Sequence, residues 1–206
     1  MMGSASLGGA LLLMLAVWSV LASGSIYSSL IGTELATLLV FALSAALLVV
    51  TRRPLAVRPR PLDAVLLALS IALGFACHPP LRVAIAVVGV ALGLSPIPAP
   101  SPDRAGLPLL IAVVVVAPLF EELLYRERLF DAIASTPLGA GGATLLTSAL
   151  FAVSHLTPWQ MLGSFLVGAL LALVRRSFGT VTACIGLHAG LNLRSAFETA
   201  EGALHG

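Results

Sequence analysis

Residues 107–126 read LPLLIAVVVVAPLFEELLYR, an apolar stretch that carries no charge from 107 to 120 and then meets Glu121-Glu122-Leu123-Leu124-Tyr125-Arg126. An ionised side chain at the centre of a bilayer costs about 2.5–3.5 kcal/mol on insertion scales, so acids at membrane depth normally mark a functional site. Two further apolar segments each contain a histidine, Phe151-Ala-Val-Ser-His155 and His188-Ala-Gly-Leu-Asn192. Carboxylates and imidazoles within membrane-type sequence point to hydrolytic or ion-binding chemistry inside the bilayer.

The rest of the chain supports a membrane setting. Of its 206 residues 59% are hydrophobic and only 10% are charged, with a mean hydropathy of +1.07. Soluble domains average about a quarter charged residues, so the composition is that of a polytopic membrane protein. The net charge of +2 comes from scattered arginines, 11 of them with no lysine, and gives no reason to expect a nucleic-acid partner. Cys77 and Cys184 lie in apolar stretches without metal-type spacing and read as inert thiols. The N-terminus lacks a basic n-region, so Leu7–Ser23 reads as a retained first span.

A span needs about 20 apolar residues. The first two are expected near 7–23 and 30–50, followed by a basic loop at 51–61 with Arg52, Arg53, Arg58 and Arg60. Residues 62–94 are broken by His78-Pro79-Pro80 and read as two short spans, or as one span with a re-entrant or interfacial piece. A proline-rich loop occupies 95–106. Beyond it, helices are expected at 107–134 (with a kink near Pro118), 143–156, 159–175 and 180–198. The expected fold is therefore an all-α, polytopic transmembrane bundle of about seven spans, or eight if 62–94 crosses twice. Its parts are N-terminal spans and loops at 1–106, a four-helix catalytic core at 107–198, and a short tail at 199–206. Arginine-rich loops favour the cytoplasm. Applied to residues 51–61 and to Arg126, Arg128, Arg175 and Arg176, the rule puts the N-terminus inside and three spans before residue 107.

The three polar motifs fall at similar depths. About a turn centred near 138, Glu121 and His155 are equidistant in sequence and so level in antiparallel helices. The last helix brings Asn192 within about 8 Å in depth of His155, with His188 one turn away on the same face. Glu122 and Arg126 form an i, i+4 pair of favourable orientation, whereas Glu121 points about 100° away. One acid is thus expected to work in a pocket while the other pairs with Arg126. Taken singly, each feature has a structural explanation: an interfacial ion pair, a packing histidine, interhelical hydrogen bonding, or glycines such as Gly186 and Gly190 that let helices approach. Together, several costly groups at one depth favour a pocket.

In this order these motifs resemble the CPBP family of intramembrane proteases, the CAAX-protease and bacteriocin-processing group also called Abi. Its pattern is a double glutamate with an arginine four residues after the second, a phenylalanine four before a histidine, and a histidine four before an asparagine. Here these are Glu121-Glu122…Arg126, Phe151…His155 and His188…Asn192. The resemblance covers about 107–197; a further C-terminal span known in prenyl-protein proteases is not expected after the third motif. It implies an intramembrane endopeptidase that cuts near the membrane-anchored end of a protein or peptide substrate. It also implies Glu121 as general base on a water, His155 positioning that water, and His188 with Asn192 stabilising the oxyanion. Glu122 and Arg126 support them. A carboxylate in a low-dielectric pocket is a better base near neutrality, and a donor aimed at an oxyanion contributes about 2.7–4 kcal/mol in known cases.

No cofactor is expected on this scheme. Zinc held by Glu121, His155 and His188 is the alternative, although no HExxH signature is present. A non-enzymatic transporter or bacteriocin-immunity protein is the reading from another class. The expected location is a bacterial inner membrane, multi-pass in the lipid bilayer. If the arginines are cytoplasmic, the pocket opens outward and suits sortase-like processing of C-terminal tails, a role resembling that proposed for family members called myxosortases.

Overall fold

Helix α1 (Pro61–Ala91) runs uninterrupted through Pro79 and Pro80. The computed structural model describes residues 61–96, 107–155 and 157–204, and every regular element among them is helical. The all-α expectation holds for these residues. The spans expected at 7–23 and 30–50 lie outside them, as do the arginines of the basic loop. Within 61–91, however, the two-span alternative is replaced by one helix. A proline in a helix removes one donor and crowds the carbonyl four residues back. Both prolines here are exposed on the outer side of α1.

Two helices are long and apolar enough to cross a membrane, Asp63–Ala91 and Pro158–Phe178. On α1 the residues Val65, Leu69 and Leu73, then Val83, Val87 and Val90, are exposed. Their three- and four-residue spacing makes an apolar outer stripe, which a lipid environment accommodates and water does not.

Residues 107–134 form one rod of alternating helical type: α2 (Leu107–Ile111), π1 (Ala112–Val116), α3 (Ala117–Glu122), π2 (Leu123–Leu129) and α4 (Phe130–Ala134). The first wide segment ends at Val116, two residues before Pro118, which has no N–H to offer the preceding turn. The expected kink is thus expressed as a π segment, a feature often found at functional positions. A turn at 135–138 leads into α5 (Gly139–Val153), which starts earlier than the sequence suggests. Thr157 caps α6 (Pro158–Phe178) by accepting from the Gln160 N–H at 3.3 Å, with Pro158 in the first turn. Gly179, at φ +67°, closes α6 in the left-handed conformation. Helix α7 (Val181–Leu204) continues well past the expected end at 198.

The 107–134 rod, α5, α6 and α7 alternate in direction, as successive antiparallel neighbours. Leu124, Tyr125 and Leu129 of the rod pack on Phe151 of α5; Phe130 and Ile133 meet Ala143 and Ala172; Leu171 of α6 meets Cys184 and Leu187 of α7. Helix α1 packs along α7 in parallel. A Cβ on Gly186 would come within 2.7 Å of the Leu67 carbonyl oxygen. On Gly190 it would overlap the Ile71 carbonyl oxygen, and on Gly74 that of Leu187. These glycines permit the close α1–α7 approach, so for Gly186 and Gly190 the packing explanation is the correct one.

Candidate active site

The site grows from the junction of α3 and π2. Glu122 and Arg126, one turn apart, are both fully buried. Arg126 Nη1 donates to Glu122 Oε1 at 3.3 Å, and Nε stands 3.2 Å from Oε2. A second donor, Nη2, reaches the Gly168 carbonyl of α6 at 3.0 Å. The guanidinium lies 4.7 Å from the Phe151 ring centroid, a cation–π contact in a dry environment. Gly168 is small because a Cβ there would come within 3.2 Å of both Arg126 and Phe151. The expected Glu122–Arg126 pair therefore exists, but within the helix core.

Glu122 has a second partner that the sequence alone did not reveal. Its Oε1 lies 2.9 Å from Nδ1 of His188, which is itself buried. A carboxylate paired with arginine only accepts, so Nδ1 must carry a proton and donate. The other ring nitrogen, Nε2, faces Glu121 Oε2 at 3.7 Å. Arg126, Glu122, His188 and Glu121 thus form a line of alternating charge type. Glu121, at its outer end, keeps 32% of its side chain exposed whereas Glu122 keeps none. The two acids are divided as their 100° separation implied: Glu122 is bound inside, Glu121 is accessible.

His155 follows the last turn of α5. Its Nδ1 is 3.0 Å from the Phe151 carbonyl, which accepts, leaving Nε2 with a lone pair directed elsewhere. The rings of His155 and His188 flank Phe151, at 5.2 Å and 5.8 Å between centroids and nearly perpendicular to it. Phe151 thereby sets the position of both imidazoles and of Arg126. Ser154 Oγ lies 3.3 Å from His155 Nδ1. Its hydroxyl donates to the Phe151 carbonyl at 2.7 Å, which is a local helix-end bond and not a nucleophile–base pair. Asn192 donates through Nδ2 to the Val113 carbonyl at 2.8 Å. That acceptor lies in π1, so the widened turn tethers the asparagine.

A cavity of about 750 Å³ lies between α1, α6 and α7 and is lined by His155, His188 and Asn192 together with Phe151. Glu121 does not line it but adjoins His188. Three of the four expected residues thus share one cavity and the fourth touches it through His188. Among the described residues, no three His, Cys, Asp or Glu side chains gather as a metal-ligand group.

Set beside known proteins, residues 103–194 match the family model described as type II CAAX prenyl endopeptidase Rce1-like. Over these residues the chain is similar to the Rce1-like family. The match spans all three motifs and bears out the family resemblance seen in the sequence. No curated protein and no solved structure gave a significant match. The Rce1-like segment ends at residue 194 and begins beyond α1, so it contains Glu121 to Asn192 but not the α1 wall of the cavity. The matched model is that of an endopeptidase, and the two long apolar helices among the described residues agree with a membrane setting.

Proposed function

We propose that the protein is a metal-independent intramembrane endopeptidase in which Glu121 activates water against a peptide bond near the membrane-anchored end of a substrate. The observation that carries this reading is the position of His188, between a buried carboxylate that holds its Nδ1 proton and an accessible one facing Nε2. A doubly protonated His188 donates through Nε2 towards an oxyanion; in the neutral form Nε2 is an acceptor, so the oxyanion role requires the second proton.

On this scheme Glu121 takes a proton from water as the hydroxyl oxygen attacks the scissile carbonyl. His155, with Nδ1 occupied by the Phe151 carbonyl, offers Nε2 as the acceptor that aligns the water. His188 and the second N–H of Asn192 stabilise the oxyanion, and the proton held by Glu121 passes to the leaving amine as the bond breaks. Each histidine has one ring nitrogen committed within the protein, which fixes the ring's orientation and leaves Nε2 for chemistry.

Outward-facing, sortase-like tail processing rests on counting Arg126, Arg128, Arg175 and Arg176, with the arginines of 51–61, as loop charges. Arg126 is buried, and Arg175 bonds the Arg126 carbonyl and Asp131. Neither carries the topological signal of a free loop arginine, so that reading has less support than a CAAX-type cut close to a substrate's end. Mass spectrometry of a lipid-anchored peptide incubated with the protein in vesicles tests the function. A single cleavage close to the anchor is expected; an intact peptide across a panel of anchors and sequences would contradict it.

A further inference from the structure

Gly168 and Arg175, both on α6, bind the same residue of the 107–134 rod, Arg126. Gly168 offers its carbonyl to the Arg126 guanidinium at 3.0 Å. Arg175 approaches from the main-chain side: its Nε–H donates to the Arg126 carbonyl oxygen at 3.0 Å. Seven residues make nearly two turns, so both contacts stand on one face of α6, about 10 Å apart along its axis. Arg126 is thus held by side chain and backbone at once, from one neighbouring helix.

The carbonyl that Arg175 takes is one the rod leaves open. In π2 the hydrogen-bond ladder reaches back five residues, and the Phe130 N–H still does so, to the Tyr125 carbonyl. Helix α4 begins at that residue with a reach of four. Where the reach shortens from five to four, one carbonyl is passed over, and here it is that of Arg126. A buried carbonyl without a donor is costly, so a π segment in a packed position needs a donor from elsewhere. Arg175 supplies it. Its other contact differs in kind: Nη2 lies 2.9 and 3.0 Å from the two oxygens of Asp131, whose side chain is 53% exposed. An ion pair in such a position contributes little.

The wide turn reaches the site directly. It starts at Leu123, the residue after Glu122, and Arg126 lies in its middle. Its geometry sets where Glu122 meets Arg126, and Glu122 in turn holds Nδ1 of His188, whose Nε2 faces Glu121. Return of this turn to an α-helical ladder would rotate both acids about the rod axis relative to α4 and α6. We propose that Arg175 is a positioning residue: by filling the carbonyl that π2 leaves open, its Nε–H holds the turn that aligns Glu122 with His188 and sets His188 against Glu121. The catalytic consequence rests on the endopeptidase reading of the site.

Side-chain chemistry provides a test in which the ordinary conservative order reverses. Glutamine places an N–H donor at the same number of bonds from Cα as arginine Nε, without the charge; lysine keeps the charge but has a methylene there. The full chain in detergent, isotope-labelled at its four histidines, gives the magnetic-resonance signal of the His188 Nδ1 proton, assigned by its loss in His188→Gln. Arg175→Gln should keep that signal at its wild-type shift and keep kcat on a lipid-anchored peptide within about threefold. Arg175→Lys should shift or broaden the signal and lower kcat by about tenfold to a hundredfold at little-changed KM, the scale of loss when a reacting group is misplaced from a distance. Asp131→Asn should match the wild type in both readings. Lysine outperforming glutamine, Asp131→Asn behaving as Arg175→Lys, or a His188 signal that no variant moves would overturn the proposal. Should Arg175→Lys fail to fold, Arg175→Gln decides alone, and its loss of either the signal or the kcat overturns it. The signal needs no substrate. The expected order there, without cleavage by the wild type, removes the endopeptidase and leaves the hold of Arg175 on His188. Wild-type cleavage with a signal indifferent to Arg175 does the reverse.

Discussion

Glu122 Oε1 lies 2.9 Å from Nδ1 of His188, and both side chains are buried, the carboxylate completely. This contact joins the 107–134 rod to α7 and fixes which face of the imidazole is left for chemistry. It also makes Glu122 a positioning residue while Glu121 remains accessible, so the two adjacent acids have opposite sensitivities to substitution.

The first prediction concerns the buried ion pair. Removing one partner of such a pair costs about 3–5 kcal/mol, whereas replacing both with apolar groups is often neutral. Arg126→Met alone and Glu122→Leu alone should each lower the melting temperature in detergent markedly, and the double variant should recover much of the loss. Recovery will be incomplete, because Arg126 also holds the Gly168 carbonyl and Glu122 holds His188. Equal losses that simply add would show that the two residues act independently.

The α1–α7 contact gives a second prediction. Gly190→Ala places a Cβ against the Ile71 carbonyl and should destabilise the protein, since backbone on both sides must shift. Gly141 of α5 has nothing within 4 Å of such a Cβ, so Gly141→Ala should be neutral or stabilising by about 0.4–1 kcal/mol. Thermal melts of the two variants in one detergent compare them directly. Similar behaviour would contradict the close parallel packing.

His155 sits at a helix end, half-buried, and bonds mainly to its own turn. His155→Ala should leave stability nearly unchanged while lowering kcat by about 10²–10⁴, the range for loss of an acid–base or water-positioning group. A variant with full activity would remove His155 from the reaction.

Much of this arrangement is legible in the sequence, for physical reasons. Charged residues in apolar helices are costly enough that Glu121, Glu122, His155, His188 and Asn192 stand out. Helical periodicity then separates Glu121 from Glu122 and aligns His188 with Asn192. What periodicity cannot supply is rotation about each helix axis. The Glu122–His188 contact and the link from Asn192 to the Val113 carbonyl depend on it, the latter also on the π1 segment. The continuous path of α1 through Pro79-Pro80 was hidden for another reason: local proline rules predict a break, and the packing of Gly74 on α7 overrides it. The Arg82–Glu198 pair joins α1 to α7 across residues far apart in sequence, which helical periodicity does not reveal.

The metal question has its own outcome. Activity should persist in EDTA or phenanthroline, because the account uses fixed side-chain donors and acceptors. Loss with chelator and recovery on adding zinc would instead support a metalloprotease.

The central claim, that Glu121 is the base on water, is tested most directly by single-turnover cleavage of a lipid-anchored peptide by wild-type protein and by Glu121→Gln in the same vesicles. Thermal unfolding is followed in parallel. Glu121 is partly exposed at the end of the line from Arg126, so the amide should fold with a melting temperature near that of the wild type. The account predicts that its cleavage rate falls by about 10²–10⁴-fold. A folded Glu121→Gln protein that cleaves at close to the wild-type rate would contradict the account.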